Sequence, residues 1–102
     1  MKDYIGKKIQ ANYFRGIEAV GGHIYFDKTG LTFSSHKLNV QTGEARIEYK
    51  DINSVTKRNT LGIVPNGISI LTNDNFEHKF VSYKRKLIIE FLEHMQRQAS
   101  NL

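Results

Sequence analysis

The chain has 102 residues, 39% of them hydrophobic and 25% charged, and a formal net charge of +5. That length has room for one hydrophobic core, so a single domain over residues 1–102 is expected. There is no cysteine, which excludes disulfides, thiolate metal sites and thiol catalysis; no apolar run approaches the roughly 18 residues of a membrane span, and the start has no apolar segment of a signal peptide.

Met1 to Lys7 carry no periodic pattern and read as a frayed lead-in. Ile9, Ala11 and Tyr13 then alternate with Gln10 and Asn12 as a first strand does. Gly16 and the pair Gly21-Gly22 bracket an expected turn through Ile17 to Val20. Ile24 and Phe26 lie on one face of the next strand, His23 and Tyr25 on the other. Asp27-Lys28-Thr29-Gly30 has the Asp-first, Gly-last order of a type I turn, and Leu31 and Phe33 alternate with Thr32 and Ser34 beyond it.

Leu38 and Val40 extend that strand, and Gln41-Thr42-Gly43 reads as the next turn. Ala45, Ile47 and Tyr49 face one way, Arg46 and Glu48 the other, before Ile52 to Lys57 resumes with Ile52 and Val55 inward. Arg58 to Asn66 is expected as a loop, because Pro65, the only proline, cannot donate to a ladder in a central strand. Ile68 and Ile70 open a further strand, Asn73-Asp74-Asn75 supplies turn chemistry, and Phe76, His78 and Phe80 alternate with Glu77 and Lys79. Ser82 is placed to cap a helix over Tyr83 to Arg97, in which Leu87, Ile88, Phe91, Leu92 and Met95 form one apolar stripe.

About seven strands in hairpins followed by one amphipathic helix need a sheet face for the helix to cover. The pattern predicts a mainly β fold: a strongly bent antiparallel sheet or partial barrel, capped by the C-terminal helix.

Titratable groups do not converge in the sequence. His23, His36, His78 and His94 are dispersed, with no zinc-ligand spacing, and no phosphate-binding glycine loop occurs. No catalytic residue, cofactor site or metal site is expected. Lys84, Arg85 and Lys86 fall in the first turn of the helix, where cations oppose the positive end of the macrodipole. Three cations beside exposed N–H groups suit a phosphate or an acidic peptide; the plainer reading has them solvated or paired with Glu77 or Asp74. Lys57 and Arg58 adjoin the apolar Leu61, Ile63 and Val64, a combination suited to a peripheral membrane or dimer contact unless the segment folds over the sheet. Nucleic acid ranks below both, because the chain lacks the signature of an RNA-recognition sheet.

In order, the chain reads Gly22-His23-Ile24-Tyr25-Phe26, Gly30-Leu31-Thr32-Phe33-Ser34, Glu48-Tyr49-Lys50-Asp51-Ile52-Asn53-Ser54-Val55, Gly67-Ile68-Ser69-Ile70, His78-Lys79-Phe80 and a closing helix. This ordered set, from about Ile9 to Met95, resembles the GRAM domain, a variant of the pleckstrin-homology-like fold, and the segment Leu61 to Gly67 is similar to compact bacterial members that stand alone. The resemblance implies a seven-stranded bent sheet plugged by a helix, no catalysis, and lipid or protein binding in membrane-associated processes. Where pleckstrin-homology domains that hold phosphoinositides place basic residues, Gly16 to Gly22 carries Glu18 and no lysine or arginine, leaving Arg15 as the one nearby cation.

The expected function is therefore a non-catalytic binding module, cytoplasmic and in peripheral contact with anionic lipid through Lys57, Arg58, Lys84, Arg85 and Lys86. The alternative is a scaffold for an acidic protein partner, or a homo-oligomer, using Leu61, Ile63 and Val64 or a free strand edge.

Overall fold

Side chains that alternate across a pleated strand can give the core one apolar face, and a sheet with one such face needs a cover. The computed structural model of the chain describes residues 1–36, 44–60 and 64–100, with the side chains at 59–60 and 64–65 outside the description. Its elements run β1 (Lys8–Arg15), β2 (Glu18–Phe26), β3 (Gly30–Ser35), β4 (Glu44–Glu48), a 3-10 turn (Tyr49–Asp51), β5 (Ile52–Thr60), β6 (Val64–Thr72), β7 (Glu77–Val81) and α1 (Arg85–Ser100). The seven strands pair antiparallel in one sheet, in the order β4-β3-β2-β1-β7-β6-β5. The sheet is not closed; β4 and β5 are its edges.

The alternation holds where it was clearest. Ile24, Phe26, Leu31, Phe33, Ile47, Ile52, Val55, Ile68, Ile70 and Phe80 are buried. Helix α1 covers this layer, lying against β5, β6 and the 3-10 turn. Its buried positions are Ile88, Ile89, Phe91 and Leu92, so the stripe includes Ile89 and leaves Leu87 and Met95 only partly buried. The Phe91 ring meets Tyr4 at 5.5 Å, Phe26 at 5.5 Å and Tyr49 at 6.1 Å, all edge-on. The side chain of Gln96 fastens the later turns by donating to the carbonyls of Ile52 (3.0 Å) and Asn53 (2.6 Å) on β5.

Several local expectations change. The lead-in is not frayed: Tyr4 is buried, and backbone bonds Gly6 N–H to Phe26 O (2.8 Å) and Phe26 N–H to Lys7 O (3.0 Å) tie it to β2. The first turn is shorter than expected, since β2 already begins at Glu18 and runs through Gly21 and Gly22. Gly22 serves close approach rather than a turn: a Cβ there would lie 2.1 Å from Ser34 O and 2.8 Å from the Phe33 ring. The expected loop from Arg58 to Asn66 is largely strand, β5 lasting to Thr60 and β6 starting at Val64. Pro65 is tolerated because β6 meets β7 only from Gly67 onward, so Pro65 stands where β5 alone accompanies β6. Leu38, Val40 and the turn at Gln41-Thr42-Gly43 lie outside the described residues.

Ser82 does not cap the helix. Its N–H is still bonded to Asn66 O in the sheet, and its hydroxyl donates to Gln10 O at 2.8 Å. The chain turns into α1 at Lys84, which holds a left-handed φ of 57° while its carbonyl accepts from Ile88 N–H. The early departure shortens the seam between β1 and β7, which pair only through Asn12↔Val81 and Tyr13↔Phe80. On that side, Lys8 to Ala11 therefore face the departing segment Ser82–Lys84 rather than a paired strand.

Candidate functional site: a lysine-lined cleft at the helix start

Three pieces of chain meet beside this departure. Tyr4, set between the Phe26 ring (5.4 Å) and the Phe91 ring, anchors the lead-in, and the anchored lead-in carries Lys2 and Lys7 to the start of β1, where Lys8 follows. The turn into α1 brings Lys84 from the other side. Between them lies a cleft of about 550 Å³ lined by Lys2, Lys7, Lys8 and Lys84 together with Tyr4, Tyr83 and Gln10, with Ile9, Ser82 and Ile88 completing the wall. No carboxylate is among the residues lining it.

Every charged residue lining the cleft is a lysine. Lysines close together raise the local potential for anions, and the first turn of α1 contains no acidic residue to offset its own partial positive charge. Lys2 is steadied over the Tyr4 ring, 5.6 Å from its centre. Of the residues lining it, Tyr83 is 80% exposed, and the exposed Met1 and Ile5 adjoin the lining residues Lys2 and Tyr4 in the chain, so apolar and aromatic groups accompany the cations. Such a surface can attract a phosphate or carboxylate and give its neighbours an interfacial contact.

Of the cations singled out in the sequence, Lys84 lines this cleft. Arg85 turns away from it: its Nη1 donates to the carbonyls of Arg58 (3.0 Å) and Gly67 (3.5 Å). That contact sets the Lys57-Arg58 stretch beside Lys84-Arg85-Lys86, two runs far apart in the chain. Arg58 also reaches Glu77 at 3.4 Å, while Lys57 and Lys86 are exposed. Leu61 and Ile63 lie outside the described residues; the backbone of Val64 opens β6, and its side chain is outside the description. Sequence reading did not assign Lys2, Lys7 or Lys8 to a site. The adjacent Lys7-Lys8 was a visible signal; Lys2 had none, since only the burial of Tyr4 brings it in.

The histidines are placed elsewhere. His78 Nδ1 meets the Tyr13 hydroxyl at 2.8 Å, and burial pushes its pKa below the ordinary imidazole value. His23 and His36 contact edge to face at 4.6 Å on the outer face of the sheet. Among the described residues no group of three or more histidine, aspartate or glutamate side chains gathers in a way that could hold a metal ion. No helix among the described residues is long and apolar enough to cross a membrane.

The family model of the GRAM domain matches residues 3–101. The fold is similar to the C-terminal domain of an unknown protein from Leishmania infantum, with a TM-score of 0.77 and 18% identity over 91% of this chain and 84% of that one. It is also similar to Inner Membrane Complex Sub-compartment Protein 3 of Toxoplasma gondii, with a TM-score of 0.70 and 12% identity over 90% of this chain and 76% of that one. At these identities the two structures show a shared fold. No curated protein sequence matches the chain.

Proposed function

The chain belongs to the GRAM domain family, and from that premise we propose that it is a non-catalytic module, one domain over residues 1–102, that docks on anionic lipid at a membrane surface. The lysine cleft is the contact in this reading. The observation that carries it is the convergence of Lys2, Lys7, Lys8 and Lys84 on one hollow without a lining carboxylate, with the exposed Tyr83 in its wall. Lys57, Arg58, Lys86 and the fixed Arg85 are the outlying cations of the same end. The finer kinship, to compact stand-alone bacterial members of the pleckstrin-homology-like group, and a cytoplasmic, peripheral location belong to this proposal. So does the absence of nucleic acid among its partners.

Co-sedimentation with vesicles tests it. Vesicles containing anionic lipid should retain more protein than neutral ones at low salt, and the excess should fall as ionic strength rises. The triple charge reversal Lys7→Glu, Lys8→Glu, Lys84→Glu should remove the excess and shift the melting temperature little, because all three side chains are exposed. Equal retention by neutral and anionic vesicles would reject the lipid reading.

A second reading has one observation of its own: the open sheet leaves β5 as an edge strand, carrying Lys57 and Arg58. An acidic protein strand, or a second copy, could extend the sheet there. A single monomeric species by light scattering at high concentration would remove the second copy.

A further inference from the structure

Next to the lysine cleft is a second hollow, of about 330 Å³, and the two share Gln10, Ser82 and Tyr83 as a common wall. Its remaining lining is of another kind: the polar Asn12, His36 and Asn66 over the backbone of Gly21 and Gly22, with Ala11 and Val81 as its apolar members. Gly21 keeps the floor low, since a Cβ there would lie 3.2 Å from Asn12 Oδ1 and 3.6 Å from His36 Cδ2. His36 is braced edge-on by the His23 ring. Asn66 is held in place by its main chain, whose carbonyl accepts from Ser82 N–H at 3.1 Å. Its side-chain Oδ1 is buried and has no hydrogen-bond partner among the described residues. A buried amide oxygen without a donor is unfavourable, and no side-chain hydrogen bond among the described residues opposes its turning. A turn of the side chain towards the hollow would present that oxygen to a donor arriving there.

We propose that the two hollows are one ligand site, in which the lysines hold a phosphate diester and Asn66, with Asn12, receives a hydroxyl carried by the same headgroup. The proposal rests on the lysine cleft being an anion site. The cleft alone would accept phosphate of any kind; the amide-lined hollow adds selection for a hydroxylated phosphodiester. Lysine ammonium groups are donors only, so they cannot accept a hydroxyl proton. A neutral amide oxygen can, and it adds no negative charge that would repel the phosphate.

The test compares two lipids of equal charge, phosphatidylglycerol and phosphatidylmethanol, each mixed at the same fraction into phosphatidylcholine vesicles. Both are phosphodiesters with one negative charge, and only the first has headgroup hydroxyls. The wild-type chain should prefer phosphatidylglycerol by about tenfold, as one hydrogen bond to a buried acceptor implies. Asn66→Leu should abolish the preference and leave phosphatidylmethanol binding unchanged. Asn12→Ala, at an exposed position, should reduce it and serves as the readout if Asn66→Leu fails to fold. Soluble glycerophosphoglycerol, measured against dimethyl phosphate, a phosphodiester of the same single charge with no hydroxyl, separates recognition of the headgroup alone from recognition on a lipid surface; a preference that Asn66→Leu removes in either setting supports the role of Asn66. Equal binding of both anionic vesicles by the wild type, or a preference that survives Asn66→Leu and Asn12→Ala, overturns the proposal while the lysine cleft stands. Binding to neither anionic vesicle overturns both.

Discussion

At the scale of single residues, the tightest polar cluster lies outside the proposed site. Arg46 Nη1 meets Asp27 Oδ2 at 2.5 Å and Thr32 Oγ1 at 3.0 Å, and its Nη2 meets Glu48 Oε2 at 2.7 Å and Thr29 Oγ1 at 2.8 Å. The Arg46 guanidinium, with the Thr29 and Gly30 amides behind it, holds the Asp27 carboxyl well below the usual carboxylate range against the opposing effect of burial. A carboxyl depressed in the folded state contributes stability above its unfolded pKa, near 4, and loses that contribution as pH falls towards the folded value. Both side chains are about a third exposed, so solvent screening limits the contribution to about 1 kcal/mol. Urea denaturation of Asp27→Asn should show that deficit at pH 7, and the gap to the wild type should narrow below about pH 4; a gap independent of pH would contradict the assignment. The Asp-Gly turn was legible in the sequence because turn chemistry is local. Its clasp by Arg46 was not, because residues 19 apart meet only through the β3–β4 register.

At the scale of elements, alternation and helical spacing were enough to place the strands and α1, because burial on one face leaves a regular trace. They failed where a residue type has two uses. Gly21-Gly22 fits a turn or a close approach of neighbouring strands, and the nearness of Ser34 O decided for the latter. Ser82 fits a cap or a sheet anchor, and its bond to Gln10 O fixed the helix start two residues later than expected. That start puts a lysine in a left-handed conformation, which costs a non-glycine residue roughly 1–2 kcal/mol. Glycine has no such penalty but loses more chain entropy on folding. Lys84→Gly should therefore raise unfolding free energy by about 1 kcal/mol in a denaturant titration, while weakening retention on anionic vesicles. A more stable variant that binds as well as the wild type would remove Lys84 from the contact.

At the scale of the whole molecule, the proposed site is made of residues 2, 7, 8 and 84, and no window of sequence contains it. Lys7-Lys8 and Lys84-Arg85-Lys86 could each be seen as basic; that Tyr4 and the turn at Lys84 set them face to face belongs to the tertiary structure. The same geometry bears on motion. Between β1 and β7 the register is Asn12↔Val81 and Tyr13↔Phe80, so this short seam joins β1–β4 to β5–β7. Deuterium uptake should therefore be fastest, among paired strand amides, at those of Asn12, Tyr13, Phe80 and Val81 whose N–H points across the seam, where few bonds must break to part β1 from β7. The cleft opens at one end of that seam, with Lys8 on one half and Lys84 on the other. An anion gripped from both sides acts as a staple, and its binding should slow uptake at the amides that donate across the seam before it does so anywhere else in the sheet.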